Sequence, residues 1–279
     1  MNHPERRLLI SVDMERYSRR GNLQQYEAQQ AFQQLLHEAA TAVGLDRVSW
    51  KTQQAGDGEL AILPGDTREP QVIGRLVPDL NRRLRHYNSS RLPEARVRLR
   101  VALHQGLVHL DGANGFPGRA VNEVCRLCDA RQLKRALVLF PDAGVALIVS
   151  SAIYQEVVAE YPEELRPERF QRVEVHHPDK GFREPAWICV VDEDLSTVSA
   201  EALAAEPVSR PAPPEQPSAE TPGGKDSGRQ PASGGDPGPP GAINVGEMRV
   251  TGQNAVGHGA MAIGSIGDNA SFGAEGQQR

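Results

Sequence analysis

Two hydrophobic periods take turns along the chain. Arg6 to Asp13 contains the apolar run Leu8-Leu9-Ile10-Ser11-Val12 and reads as a buried strand ending on a carboxylate. From Asn22 to Val43 the apolar residues Leu23, Tyr26, Ala31, Phe32, Leu35, Leu36 and Ala39 follow the i, i+3, i+4, i+7 spacing of an amphipathic helix. Val48 to Leu63 places two β-prone runs around Gly56-Asp57-Gly58, the pattern of a hairpin whose turn wants residues tolerant of positive φ. Pro70 to Tyr87 returns to helical spacing, with a kink or break expected at Pro78. Arg96 to His109 alternates Val97, Leu99, Val101 and Leu103 with charged or polar residues, which predicts a strand with one wetter face. A glycine-rich loop follows from Asp111 to Gly118, then a helix from Ala120 to Leu133. Short strands are expected at Ala136 to Leu139 and Val145 to Ser150, with a short helix from Ser151 to Ala159. Phe170 to Val175 and Ala186 to Val191 form a last hairpin around Pro178-Asp179-Lys180-Gly181.

The resulting order is β-α-β-β-α-β with additions. It predicts an α+β, ferredoxin-like domain over residues 5–195, with a mixed sheet covered by helices on one face. Residues 196–242 change character: Pro, Gly, Ser and charge dominate, too little apolar surface to offset ordering entropy, so a disordered linker is expected. Residues 243–279 are different again, with Ile243-Asn244-Val245-Gly246, Asn254-Ala255-Val256-Gly257, Met261-Ala262-Ile263-Gly264 and Ser265-Ile266-Gly267 as a loose repeat of β-branched residue and glycine. Such a tail suits stacked strands with amide ladders; a low-complexity disordered end is the other reading.

Composition narrows the function classes. The net charge of -5 leaves no basic footprint for nucleic acid, and the run Arg82-Arg83-Leu84-Arg85 reads as a solvated helix face. Three cysteines, Cys125, Cys128 and Cys189, make no disulfide framework. Cys125-x-x-Cys128 lacks the second pair of a zinc site and falls in a helix. No apolar run reaches the roughly twenty residues of a membrane span, so a cytoplasmic protein with no membrane partner is expected.

The candidate chemistry is carboxylate chemistry. Asp13 ends the first strand and Asp57 tips the hairpin; if these are sheet neighbours, the two acids converge at one end. Two carboxylates suit a hard divalent ion such as magnesium, whose shell is completed by substrate phosphates. A phospho-accepting receiver domain would want paired acids at the first strand end, where only Asp13 stands. His104 reads as a packed strand-end residue and not as a ligand.

Four stretches, in order, resemble the catalytic domain of class III adenylate and guanylate cyclases. Ser11-Val12-Asp13-Met14-Glu15-Arg16-Tyr17-Ser18 is similar to the first metal motif, and Gly56-Asp57-Gly58-Glu59-Leu60-Ala61 to the second. Arg98 to Gly106 resembles the Arg-x-Gly-Ile-His-x-Gly strand, and Gly118 to Leu127 the Gly-x-x-Val-Asn-x-Ala-x-Arg-Met helix. The resemblance covers residues 5–192. It implies a lyase that converts a nucleoside triphosphate to a 3′,5′-cyclic nucleotide and pyrophosphate, in a signalling or defence context. Asp13 and Asp57, with the carbonyl of Met14, would hold two Mg2+ or Mn2+ ions. Arg16, Tyr17 and Ser18 would offer backbone amides to the triphosphate, and Lys180 would contact phosphate. Asn122 and Arg126 would orient the ribose and stabilise the transition state from the opposite subunit of a head-to-tail homodimer. The tail resembles amyloid signalling motifs such as the RIP homotypic interaction motif, and would bind a partner protein through residues 243–273.

The departures sit at the base pocket. The family's base-recognition positions fall on Gln53 and Gly115, matching neither the adenine nor the guanine pair; Lys51 substitutes only if the strand slips by two residues. A purine is not assigned, and a pyrimidine stays open. Arg16 and Ala102 each replace a family glycine. The rival reading is therefore a catalytically inactive cyclase-like module that senses a nucleotide or dimerises.

Overall fold

The computed structural model describes residues 3–204. Strand β1 (Glu5–Met14) leads into helix α1 (Asn22–Ala42), the hairpin β2 (Lys51–Ala55) and β3 (Gly58–Ile62), a helical segment, and strand β4 (Leu99–Val108). This is the expected α+β order. That helical segment consists of α2 (Glu69–Gln71), a π-helical turn over Val72–Leu76, and α3 (Val77–Asn88); Pro78 follows directly on the π-helical turn, inside a continuous helical run. Helices α4 (Arg119–Cys128) and α5 (Arg131–Leu139) follow, then β5 (Val145–Ser150), α6 (Ser151–Ile153), α7 (Pro162–Leu165), β6 (Gln171–His177) and β7 (Phe182–Val190). The seven strands lie in the order β2-β3-β1-β4-β5-β7-β6, and only the β4/β5 pair is parallel.

Helices cover both faces of the sheet, not one. On one face Phe32 and Leu36 of α1 and Leu80 and Leu84 of α3 pack on Leu8, Ile10, Val12, Leu99, Val101 and Leu103. On the other, Val124 and Leu127 of α4 and Leu133 and Leu137 of α5 pack on Leu9, Leu60, Ala102, Ile148 and Ile188. The stretch Ala136 to Leu139, expected as a strand, is the end of α5; with Leu133 it forms a helical stripe that four residues alone cannot reveal. The wetter face of β4, with Arg100, His104 and Gly106 half-buried, lies under α4: a Cβ at Gly106 would meet the Ala120 Cβ at 2.6 Å. Packing continues beyond residue 195. Helix α8 (Ala200–Ala204) buries Leu203 completely, and Arg135 Nε donates to the Ala202 carbonyl at 3.3 Å. The rest of the expected linker and the β-prone tail with its partner lie outside the described residues.

Asn81 of α3, fully buried, ties the start of β5 to the end of β7. Its Oδ1 accepts from the N–H groups of Gly144 (2.9 Å) and Val145 (3.0 Å), and its Nδ2 donates to Asp192 Oδ2 (2.8 Å). Asn81→Ala strands two buried N–H donors, and denaturant unfolding is expected to show a loss of about 3 kcal/mol. A loss below about 1 kcal/mol would mean that water replaces the amide.

Candidate active site

The site begins with the register of β1. Leu9, Ser11 and Asp13 point to the α4 side, and Asp13 lies opposite Gly58 of β3 and Arg100 of β4. The ladder continues one step further, because the Met14 N–H donates to the Asp57 carbonyl at 2.8 Å. That bond places the Asp57 backbone beside the end of β1, so Asp13 and Asp57 stand at the same end of the sheet. Gly58 serves contact rather than a turn dihedral. Neither glycine beside Asp57 takes a left-handed φ, but a Cβ on Gly58 would lie 2.0 Å from the Val12 carbonyl oxygen. Only glycine lets the hairpin approach β1 this closely.

The loop after β1 is fastened from three sides. Arg16 adopts φ 56°, the left-handed region, where a side chain costs about 1 kcal/mol; here an arginine keeps a backbone shape that suits glycine. The Glu15 N–H donates to the Arg98 carbonyl (2.9 Å), and its Oε2 accepts from Arg98 Nε (2.8 Å). Gln29 of α1 donates to both the Tyr17 hydroxyl (2.7 Å) and the Gly56 carbonyl (2.5 Å), which ties the loop to the hairpin tip. Ser18 is exposed. The turn at Tyr17–Arg19 leaves the amides of Arg16, Tyr17 and Ser18 ahead of its first internal donor, the Arg19 N–H, which donates to the Arg16 carbonyl at 3.2 Å.

Gln53 and Gly115 are far apart in sequence and adjacent in space. Gly115 takes φ 89° in the glycine-rich loop, and a Cβ there would lie 2.7 Å from Gln53 Oε1. The Gln53 amide thus occupies the room that a side chain at residue 115 would need.

Helix α4 buries Ala120, Val124, Leu127 and Cys128 and turns Asn122 and Arg126 away from the core. Asn122 is exposed; the Arg126 guanidinium lies 5.2 Å from the Phe182 ring centroid, and its carbonyl accepts from His177 Nε2 at 2.9 Å. Neither residue makes a hydrogen bond or ion pair to Asp13 or Asp57 among the described residues. Lys180, exposed in the turn before β7, acts electrostatically on Cys125 of α4, although burial prevails and pushes that thiol up. Cys128 is fully buried; its Sγ donates to the Ser11 carbonyl at 3.4 Å, and burial pushes it up to about 12.

Arg100 is the residue that pattern alone did not single out. Its guanidinium forms an ion pair with Asp13, and its Nε is buried without a partner. Burial pushes Arg100 below its ordinary value. The signal was present as a charge on an alternating strand, but its partner follows from the β1/β4 register, which puts Arg100 directly across from Asp13. Among the described residues no group of three or more His, Cys, Asp or Glu side chains is arranged to hold a metal ion. A cation here would have to rely on the two acids and on groups brought by a ligand, and it would have to displace Arg100.

His104 packs as expected and adds a pH dependence. Its Nε2 lies 2.9 Å from Glu123 Oε2 of α4, with Arg119 and Arg6 also acting on it, and its Nδ1 is buried without a partner. Burial pushes its pKa below the ordinary 6.5, and the attraction of Glu123 does not offset this. The unfolded chain therefore takes up the proton first. The contribution to stability is complete above pH 6.5 and is lost as pH falls below it. Melting temperature is expected to fall between about pH 7 and about pH 5 more in the wild type than in His104→Gln. Equal falls would assign the acid sensitivity to other groups.

Among the described residues no helix is long and apolar enough to cross a membrane. No family model matches the chain, and no curated protein matches it. Among solved structures it is similar to the guanylyl cyclase Cya2, with 13% identity over 69% of this chain and 96% of that one and a TM-score of 0.44. It is similar to an adenylate/guanylate cyclase/hydrolase from Silicibacter pomeroyi, with 21% identity over 68% and 99% and a TM-score of 0.46. It is also similar to the guanylate cyclase domain of RhGC from Catenaria anguillulae in complex with GTP, with 13% identity over 69% and 100% and a TM-score of 0.46.

Proposed function

We propose that this chain is a cytoplasmic, metal-dependent nucleotidyl cyclase that forms a 3′,5′-cyclic nucleotide and pyrophosphate from a nucleoside triphosphate. The observation that carries the reading is the Met14 N–H to Asp57 carbonyl bond, which sets both acids at one sheet end as the motif resemblance requires. The approach of Gln53 to Gly115, the two base-recognition positions, supports it independently.

In this reading Asp13 and Asp57, with the Met14 carbonyl, would hold two Mg2+ or Mn2+ ions, which would supply acidification of the ribose 3′ hydroxyl and neutralisation of phosphate charge. The hydroxyl passes its proton to solvent water, its oxygen attacks the α-phosphorus, and the bond from the α-phosphorus to the α,β-bridging oxygen breaks to release pyrophosphate. Arg16, Tyr17 and Ser18 hold the triphosphate through backbone amides, with Lys180 adding a positive charge. Arg100 moves from Asp13 to the incoming anion, which keeps its buried charge paired. Asn122 and Arg126 act on the site of a second copy: both face away from their own core, and Arg126 stabilises the charge that grows on the α-phosphate. Gln53 can donate and accept, so it contacts the base without selecting a purine.

The test is to mix the full chain with each nucleoside triphosphate and Mn2+ and measure pyrophosphate. Release supports the cyclase. Nucleotide binding without release favours the inactive sensing module, a reading that the Asp13–Arg100 pair and the arginine at position 16 keep in play.

A further inference from the structure

Five arginines gather at the same end of the sheet, and of these only Arg16 belongs to the proposed reaction, through its backbone amide and not its side chain. A cavity of about 540 Å3 opens between the loop after β1, the segment before β4 and the loop after α5, within the size range of ligand pockets. Its walls carry Arg16, Arg19, Arg20, Arg96 and Arg98, with Glu15 and Glu94 as the carboxylates and with Val138 and Pro141 as an apolar side. None of Asp13, Asp57, Asn122, Arg126, Lys180 or Gln53 lines it.

The charges divide into fixed and available ones. Arg98 is spent on Glu15 and on the Phe140 carbonyl (3.0 Å). Arg20 is nine-tenths buried, donates to the carbonyls of Glu94 (2.9 Å) and Arg96 (2.5 Å), and keeps its Nε buried without an acceptor. Burial pushes Arg20 below its ordinary value, so the fold holds a cation here at a cost that an anion would offset. Arg19 makes no ion pair or side-chain hydrogen bond among the described residues. Arg16 reaches Glu15 only at 3.7 Å; Arg96 donates through Nε to the Arg91 carbonyl at 3.3 Å and reaches Asp142 only at 3.6 Å, which leaves its terminal nitrogens at the loose end of ion pairing. Three guanidinium forks thus have donors to spare around one hollow, and planar forks match phosphate oxygens two at a time.

We propose that this cavity is a binding site for a phosphate-bearing anion of diphosphate type, separate from the two acids and needing no metal. Arg16, Arg19 and Arg96 grip the phosphates. Val138, exposed beside Pro141, offers an apolar wall to whatever the phosphates are attached to. The diphosphate arrives either free or as the end of a nucleotide. This inference goes beyond the cyclase reading and stands without it.

Calorimetric titration of the full chain with inorganic diphosphate, in chelator so that no divalent ion takes part, tests it. The expected result is one site, weakened by salt and weakened at least about tenfold in both Arg19→Glu and Arg96→Gln. Arg19 is exposed and has no fold contact to lose. Asp57→Asn is expected to bind diphosphate as the wild type does, which separates this site from the acid pair whether or not the chain is a cyclase. Titrating a nucleoside diphosphate alongside identifies the source: tighter binding than diphosphate points to a nucleotide, equal binding to the free anion. No binding, or binding unmoved by Arg19→Glu and Arg96→Gln, or binding lost in Asp57→Asn, overturns the proposal.

Discussion

Asp57→Ala is expected to lower metal-dependent pyrophosphate release at least about a thousandfold while leaving the fold intact. The position allows a cleaner experiment than its partner acid. What joins Asp57 to β1 is its backbone carbonyl, which accepts from the Met14 N–H at 2.8 Å, and alanine keeps that bond. Asp13→Ala, by contrast, removes the counter-charge of Arg100, a guanidinium whose Nε is already buried without a partner, and so confuses lost chemistry with lost stability. Measured on equal amounts of protein with matched unfolding curves, turnover of Asp57→Ala near the wild-type rate would remove the metal assignment. A second experiment separates the shared-site geometry from the metal geometry. If Asn122 and Arg126 serve a second copy, mixing Asp57→Ala with Arg126→Ala rebuilds one intact site in each mixed dimer, and activity returns. Activity that stays absent in the mixture would place all the machinery in one chain.

How much of this was legible beforehand depends on whether a feature is local. The β1 strand, α1 and the hairpin carry their period within a single segment, and the observed bounds follow it closely. Ala136 to Leu139 did not, because four apolar residues fit either period and the deciding partner, Leu133, lies across the assumed boundary of the preceding helix. On β4 the alternation is legible, with Leu99, Val101 and Leu103 buried and Arg100 and His104 half-buried, but the partners that meet those two, Asp13 and Glu123, come from another strand and a helix. Gly58 was read as a turn former, whereas it is a contact residue pressed against the Val12 carbonyl. At the candidate site, the acids could be named from their positions at a strand end and a turn tip. Their placement at the same sheet end, the Arg100 pair and the closeness of Gln53 to Gly115 all depend on register between distant segments, which no local pattern encodes.

The hairpin that presents Asp57 rests on a buried charge, and breaking that charge pair is expected to give the largest loss of stability in the domain. The Glu59 side chain is 1% exposed and Arg47 is 10% exposed. Arg47 Nη2 donates to both Glu59 oxygens, at 2.6 and 2.5 Å, and the same carboxylate accepts from Gln54 Nε2 (2.7 Å) and, more weakly, from Gln33 Nε2 (3.4 Å). Arg47 also lies 4.8 Å from the Trp50 ring centroid. Arg47→Ala leaves a carboxylate in the core with only amide donors, at an expected cost of about 3–5 kcal/mol, or roughly 10 °C in melting temperature for a domain of this size. Replacing both partners at once, Arg47→Met with Glu59→Leu, is expected to cost far less, because no charge is then stranded. Glu59 stands two positions after Asp57, so the single variant should also loosen the acid pair and weaken Mn2+ binding, while the double variant should keep it. Equal losses in the single and double variants would mean that the pair supplies packing and not charge compensation, and the hairpin would then owe its position to the β1 ladder alone.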